Sequence, residues 1–138
     1  MKNLAKISTS IILTVALLLC LVACGTNAPK SDLWENATYT EDTTFGEGST
    51  TLKMVVKAGE HSVTFTVNTD KDTVGAALLE HNLIEGADGL YTKVNGITAD
   101  YNVDQSYWGF FVNDAYANEG MDTTKIEKDT TYKLEYTK

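Results

Sequence analysis

The chain has 138 residues, with nineteen acidic side chains, eleven lysines and no arginine, for a formal charge of −8. That balance argues against nucleic acid and anionic lipid headgroups as partners, since both are held by clustered positive charge. The length suits one small domain with a modest core.

Lys2 and Lys6 precede an apolar run, Ile7 to Val22, broken only by Ser8, Thr9, Ser10 and Thr14. This is the layout of a secretory signal, and it is short for a spanning helix of about 20 apolar residues. Leu21-Val22-Ala23-Cys24 resembles the bacterial lipoprotein cleavage site, with small Ala23 before the cut and Cys24 supplying the thiol that takes the lipid. Residues 1–23 are then a signal peptide, and the mature protein is lipid-anchored on the extracellular face of the cell membrane. Cys20, preceded by bulky Leu19, leaves with the signal, and the folded part keeps no free cysteine. Disulfides, thiol catalysis and cysteine–zinc sites are thereby excluded. All nineteen acidic residues follow Cys24, so the mature charge is −10, which favours solubility or the attraction of cations.

Residues 24–49 are rich in Thr, Ser, Asn, Gly, Asp and Glu and contain the single proline, Pro29. They read as a tether. Trp34, Tyr39 and Phe45 leave two alternatives for its distal part: docking on the domain, or a loosely held linker. Asn36-Ala37-Thr38 matches a glycosylation sequon that is idle in a bacterial lipoprotein.

The domain proper spans 50–138. Leu52, Met54 and Val56 alternate with polar neighbours, as do Val63, Phe65 and Val67, predicting two half-buried strands around a turn at Gly59. Asp72 or Thr73 can cap a helix running to about Asn82, with Val74, Ala77 and Leu78 on its inner stripe. Gly86 and Gly89 break the chain after it. Leu90–Val94 and Ile97–Tyr101 flank Asn95-Gly96, a strong hairpin signal because both central residues of a type I′ turn need positive φ. Tyr107–Val112 and Ala115–Ala117 flank a second tight turn, Asn113-Asp114. Tyr132, Leu134 and Tyr136 alternate in a last strand. One helix on a mixed sheet is an α+β, β-grasp-like domain.

Nothing in this pattern asks for an enzyme. His61 and His81 are the only histidine bases, one beside a turn and one near the helix end, and both read as surface residues. No nucleophile elbow, phosphate loop or dinucleotide fingerprint occurs. Asp100, Asn102 and Asp104 match the D-x-N-x-D start of a calcium loop, but Gln105 and Phe111 stand where such a loop needs glycine and a bidentate glutamate. The competing reading is a solvated connection between strands.

The densest aromatic stretch is "YWGFFVNDAYANEG". Strand alternation puts Trp108, Phe110 and Val112 on one face and Tyr107, Gly109 and Phe111 on the other. One helix covers one sheet face, so the first set is assigned to the core. Tyr107 and Phe111, joined by Tyr91, remain on the open face, where grouped aromatics mark a binding surface. Either a ligand or partner meets that face, or the tether folds back and covers it with Trp34 or Phe45.

"TDKDTVGAALLEHNLIEG", "GLYTKVNGITADY" and "YWGFFVNDAYANEGM" resemble the transcobalamin-like C-terminal domain of bacterial surface proteins, over roughly Thr50 to Tyr136. The resemblance implies a β-grasp sheet and, as in the animal vitamin B12 carriers, one of two walls around cobalamin. It matches Gly89–Gly96 and the pair Tyr107 and Trp108 to the segments lying near the corrin. This chain lacks the helical barrel that forms the other wall. The resulting expectation is a non-enzymatic surface lipoprotein that binds a small molecule, with a corrinoid as candidate, or assists its delivery to an importer. Tyr91, Tyr107, Trp108 and Phe111 are its candidate ligand-binding residues. A protein-interaction or adhesion module and a calcium- or metal-binding surface protein, the latter using Asp100, Asn102 and Asp104, are the alternatives.

Overall fold

The computed structural model describes residues 32–138. The expected signal peptide, Cys24 and the first part of the tether lie outside the described residues. After a 3-10 turn at Leu33–Asn36 come β1 (Thr43–Phe45), β2 (Thr50–Ala58), β3 (His61–Thr69) and helix α1 (Val74–Glu80). Then follow β4 (Ile84–Ala87), β5 (Leu90–Val94), β6 (Ile97–Thr98) and a single helical turn, α2 (Tyr101–Asp104). β7 (Tyr107–Val112), β8 (Ala115–Tyr116) and β9 (Thr131–Thr137) complete the chain.

Strict alternation builds the β2–β3 hairpin. Leu52, Met54, Val56, Phe65 and Val67 are essentially without exposure, Val63 nearly so, and their polar neighbours face outward. Gly59, with φ of +62°, supplies the turn conformation that a side chain disfavours. Thr73 caps α1, its hydroxyl accepting from the Ala76 N–H at 3.4 Å, and Val74, Ala77 and Leu78 bury the inner stripe. The last strand, β9, returns parallel beside β2 and antiparallel to β7, giving a six-stranded sheet in the order β1-β3-β2-β9-β7-β8. A hairpin, a helix and a final strand returned parallel to the hairpin's first strand make the expected β-grasp-like α+β fold. β4, β5 and β6 form a separate three-stranded sheet.

Three details depart from the sequence reading. Gly86 does not break the chain but lies within β4 at a register shift, where a Cβ would stand 2.1 Å from the Leu90 carbonyl oxygen. The strand expected over Ile97–Tyr101 ends at Thr98, because Asp100 caps α2 by accepting from the Asn102 N–H at 2.9 Å. Finally, the compact unit begins at Leu33, so the distal tether belongs to it. Thr43–Phe45 pairs parallel with β3 as an edge strand. Tyr39, Phe45 and Phe65 pack edge to face with ring centroids 5.1–5.7 Å apart, and Trp34 stacks on His61 at 5.5 Å.

Asn95 makes this docking specific. Its backbone takes the positive φ of the hairpin turn, and its side chain is buried. The amide oxygen accepts from the Tyr39 N–H and the amide nitrogen donates to the Tyr39 carbonyl, both at 2.9 Å. His81, read as a surface residue, instead caps the C-terminus of α1 with its ring 5.6 Å from that of Phe45. Its Nε2 is buried without a hydrogen bond, 3.8 Å from the Glu80 carboxylate.

Candidate ligand-binding cleft

β7 runs between two environments. Trp108, Phe110 and Val112 pack against the core cluster, on the face assigned to them. The opposite face is covered at one end only. Tyr116, brought opposite Phe111 by the two-residue turn Asn113-Asp114, lays its ring 4.2 Å from that of Phe111. Gly109 lies beneath both, and a Cβ there would meet the Phe111 ring at 3.0 Å and the Tyr116 hydroxyl at 3.2 Å. Lys133 sits over the Phe111 ring at 4.4 Å and is held by Glu135 at 3.2 Å. Phe111 is therefore half-buried among its own neighbours, and it does not line the cleft described below. Trp34 and Phe45 pack elsewhere, so they do not provide the cover that the tether alternative required.

The cleft opens along the edge of β7. It has a volume of about 550 Å³ and runs between β5, the α2 turn, the first half of β7 and the segment after β8. Leu90, Tyr91, Tyr101, Tyr107, Trp108 and Tyr116 are among the residues that line it. Of the six large apolar side chains most exposed among the described residues, four (Leu90, Tyr101, Tyr107 and Tyr116) line this one cleft. β8 stops at Tyr116, and the last rung on that edge is Ala117 N–H to the Phe110 carbonyl at 3.0 Å. Backbone direction repeats every second residue in a strand, so the amide and carbonyl of Trp108 face the same edge beyond the end of β8.

Each wall is fixed by an identifiable contact. The Trp108 indole N–H donates to the Ile97 carbonyl at 3.2 Å, tying β7 to the smaller sheet, and its ring packs edge to face on Tyr136. The segment after β8 is held by the start of α1, whose Val74 and Gly75 N–H groups donate to the Thr124 and Met121 carbonyls at 2.9 Å. Buried Tyr132 adds a second anchor, donating to the Lys125 carbonyl and accepting from the Glu127 N–H. Tyr91 donates its phenol to Asp122 at 2.5 Å. Burial, reinforced by that carboxylate, pushes the Tyr91 hydroxyl up to about 12, so it stays protonated across the physiological range. The Tyr107 and Tyr116 hydroxyls meet at 3.2 Å, a contact that raises the Tyr116 phenol above its ordinary value.

The D-x-N-x-D segment is a capped helical turn in this structure. Asp100 caps α2, and Gln105 ends it in the left-handed conformation with φ of +62°. The Asp104 carboxylate accepts from the Ser106 hydroxyl and amide and pairs with Lys138 at 3.0 Å. Those contacts, the Ser106 hydroxyl foremost, hold it down to about 2. Asp100, Asn102 and Asp104 thus serve the local turn, and among the described residues no three His, Cys, Asp or Glu side chains converge as a metal site.

Tyr91, Tyr107 and Trp108 are brought together as the sequence reading expected; Phe111 is not. Tyr116, Tyr101 and Leu90 were missed. Tyr116 was accessible to register arithmetic, because a two-residue turn at Asn113-Asp114 pairs it with Phe111. Tyr101 was concealed by being read as the end of a strand.

The α+β fold and the aromatic cleft are consistent with a ligand-binding domain. Residues 71–138 match the model of DUF4430, a domain of unknown function. Among solved structures, the chain is similar to a candidate metal-binding protein from Ruminococcus gnavus, with a TM-score of 0.60 at 23% identity over 65% of this chain and 98% of that one. It is also similar to haptocorrin in complex with Cbi, with a TM-score of 0.49 at 11% identity over 67% of this chain and 26% of that one. The first of these supports the fold. No curated protein matches the sequence.

Proposed function

We propose that this protein is a non-enzymatic, lipid-anchored surface protein whose cleft binds a small molecule, with a corrinoid as the candidate ligand. The observation that carries the reading is the gathering of four exposed large apolar side chains around one cleft, because scattered surface apolar residues are ordinary and a grouped, concave set is not. Tyr and Trp add apolar contact with few rotamers to immobilise, and their polar tips can still meet a ligand's amides. The corrinoid candidate rests on the resemblance of Gly89–Gly96 and of Tyr107 and Trp108 to corrin-facing segments.

An open cleft supplies one wall. Corrinoid affinity is therefore expected to be micromolar or poorer unless an importer or another surface protein supplies a second. The test is a titration of the protein with cobalamin and cobinamide, followed by visible absorbance and tryptophan fluorescence. Tyr107→Ala should weaken binding at least about fivefold, the loss of roughly 1 kcal/mol of aromatic contact. Phe111→Ala, outside the cleft, should bind like the parent. Absence of binding at high micromolar concentration would remove the corrinoid and leave a protein-interaction or adhesion module as the better account.

The anchor is tested separately. Cys24→Ala should abolish lipid labelling and shift the protein out of the membrane fraction, or trap it as uncleaved precursor. Normal labelling and fractionation of that variant would overturn the lipoprotein assignment.

A further inference from the structure

We infer that the cleft selects a compact organic cation, a quaternary or tertiary ammonium group in an apolar envelope. This rests on the reading that the cleft binds a small molecule, and it names a ligand class other than the corrinoid. The charged residues lining the cleft are Asp100 and Glu119, both acidic, and no lysine lines it. Asp122 stands behind the Tyr91 hydroxyl. Tyr91, Tyr101, Tyr107, Trp108 and Tyr116 also line it, and the faces of aromatic rings carry negative electrostatic potential and attract cations. Such a lining gives a neutral ligand apolar contact and hydrogen bonds from the tyrosine hydroxyls. It gives a cationic one the ring faces and the carboxylates as well.

Two further observations decide the type of cation. A metal ion needs several converging oxygen or nitrogen donors, and no such cluster exists among the described residues. A diffuse, weakly hydrated organic cation needs aromatic faces with a carboxylate near, because little hydration is lost when it leaves water. The same sheet already holds a cation against an aromatic ring farther along the face of β7 that carries Tyr107. There Lys133 lies 4.4 Å over the Phe111 ring, flanked by Glu135 at 3.2 Å and Asp114 at 3.7 Å. The charge of the whole chain, −8, draws such a ligand toward the protein at low ionic strength.

Choline and 3,3-dimethylbutan-1-ol share a shape and differ in charge, since carbon replaces the quaternary nitrogen in the second. The full chain in a non-ionic detergent would be titrated with each, following the indole N–H resonance of Trp108. Choline is expected to bind about tenfold more tightly, the scale of one or two desolvated cation–π contacts. Glu119→Gln, an exposed and fold-neutral change, should reduce the preference, and Tyr107→Leu, which keeps an apolar side chain without the aromatic face, should reduce it further. If both compounds move the Trp108 resonance with equal affinity, the charge inference is overturned while the cleft remains a binding site. If a corrinoid binds and choline does not, the inference falls alone. If neither probe nor any corrinoid moves the resonance, the inference and the ligand-binding reading fall together.

Discussion

Replacing Phe65 with alanine is expected to lower the unfolding free energy by about 3–5 kcal/mol, the range for truncating a fully buried aromatic. Phe65 has no exposure and sits at the middle of β3. Its ring packs edge to face against Tyr39 at 5.7 Å and Phe45 at 5.5 Å. The substitution therefore removes the floor on which the segment before β2 rests, as well as opening a cavity. Urea unfolding followed by circular dichroism measures the first effect, and limited proteolysis between Tyr39 and Gly46 measures the second. A loss below about 1 kcal/mol, far under the buried-aromatic range, would mean that the cluster of Tyr39, Phe45 and Phe65 is not part of the core. Cleavage no faster than in the parent would mean that the docked segment is held by Asn95 and the β1 pairing alone.

Trp108→Ala is the second large effect, because it acts on stability and on binding together. The side chain is half-buried, so the cost should fall below the range for full burial, at about 2–3 kcal/mol. Part of that cost comes from the Ile97 carbonyl, which loses the indole donor. The cleft loses the residue that joins β7 to the smaller sheet, and ligand affinity should fall more than tenfold. Phe111→Ala provides the contrast, with a cost of about 1–2 kcal/mol from lost contact with Tyr116 and Lys133 and an unchanged cleft. Trp108→Phe separates the two roles, since it keeps an aromatic ring in the core and removes the N–H. Binding by Trp108→Ala at parental affinity would reduce the indole to a structural role.

Elements governed by local repeats were legible in the sequence. The β2–β3 hairpin followed from alternation, and α1 from a threonine cap before a stripe of Val74, Ala77 and Leu78. The core face of β7 followed from a period of two; the grouping of Tyr91 with Tyr107 came from the open sheet face, and the addition of Trp108 to them came from the family resemblance. Less was legible where a residue's surroundings come from far along the chain. β1 is a three-residue strand inside a polar stretch and exists because the edge of β3 accepts it. β4 contains a glycine and pairs across a register shift, which no alternation rule registers. α2 was masked by a D-x-N-x-D pattern that resembles a metal loop and is used for capping.

The sequence by itself determined the α+β class, the hairpin turns, the helix and which face of β7 enters the core, because each depends on φ preferences and side-chain spacing within about ten neighbouring residues. Only the tertiary structure decided that β9 lies between β2 and β7, that the distal tether docks through Asn95 and Phe65, and that Tyr116 covers Phe111 while Leu90 and Tyr101 line one cleft with Tyr107. Those outcomes depend on which distant surfaces exclude water from one another. Apolar burial is non-directional, so the pattern of a single strand says that a face must be covered and leaves open what covers it.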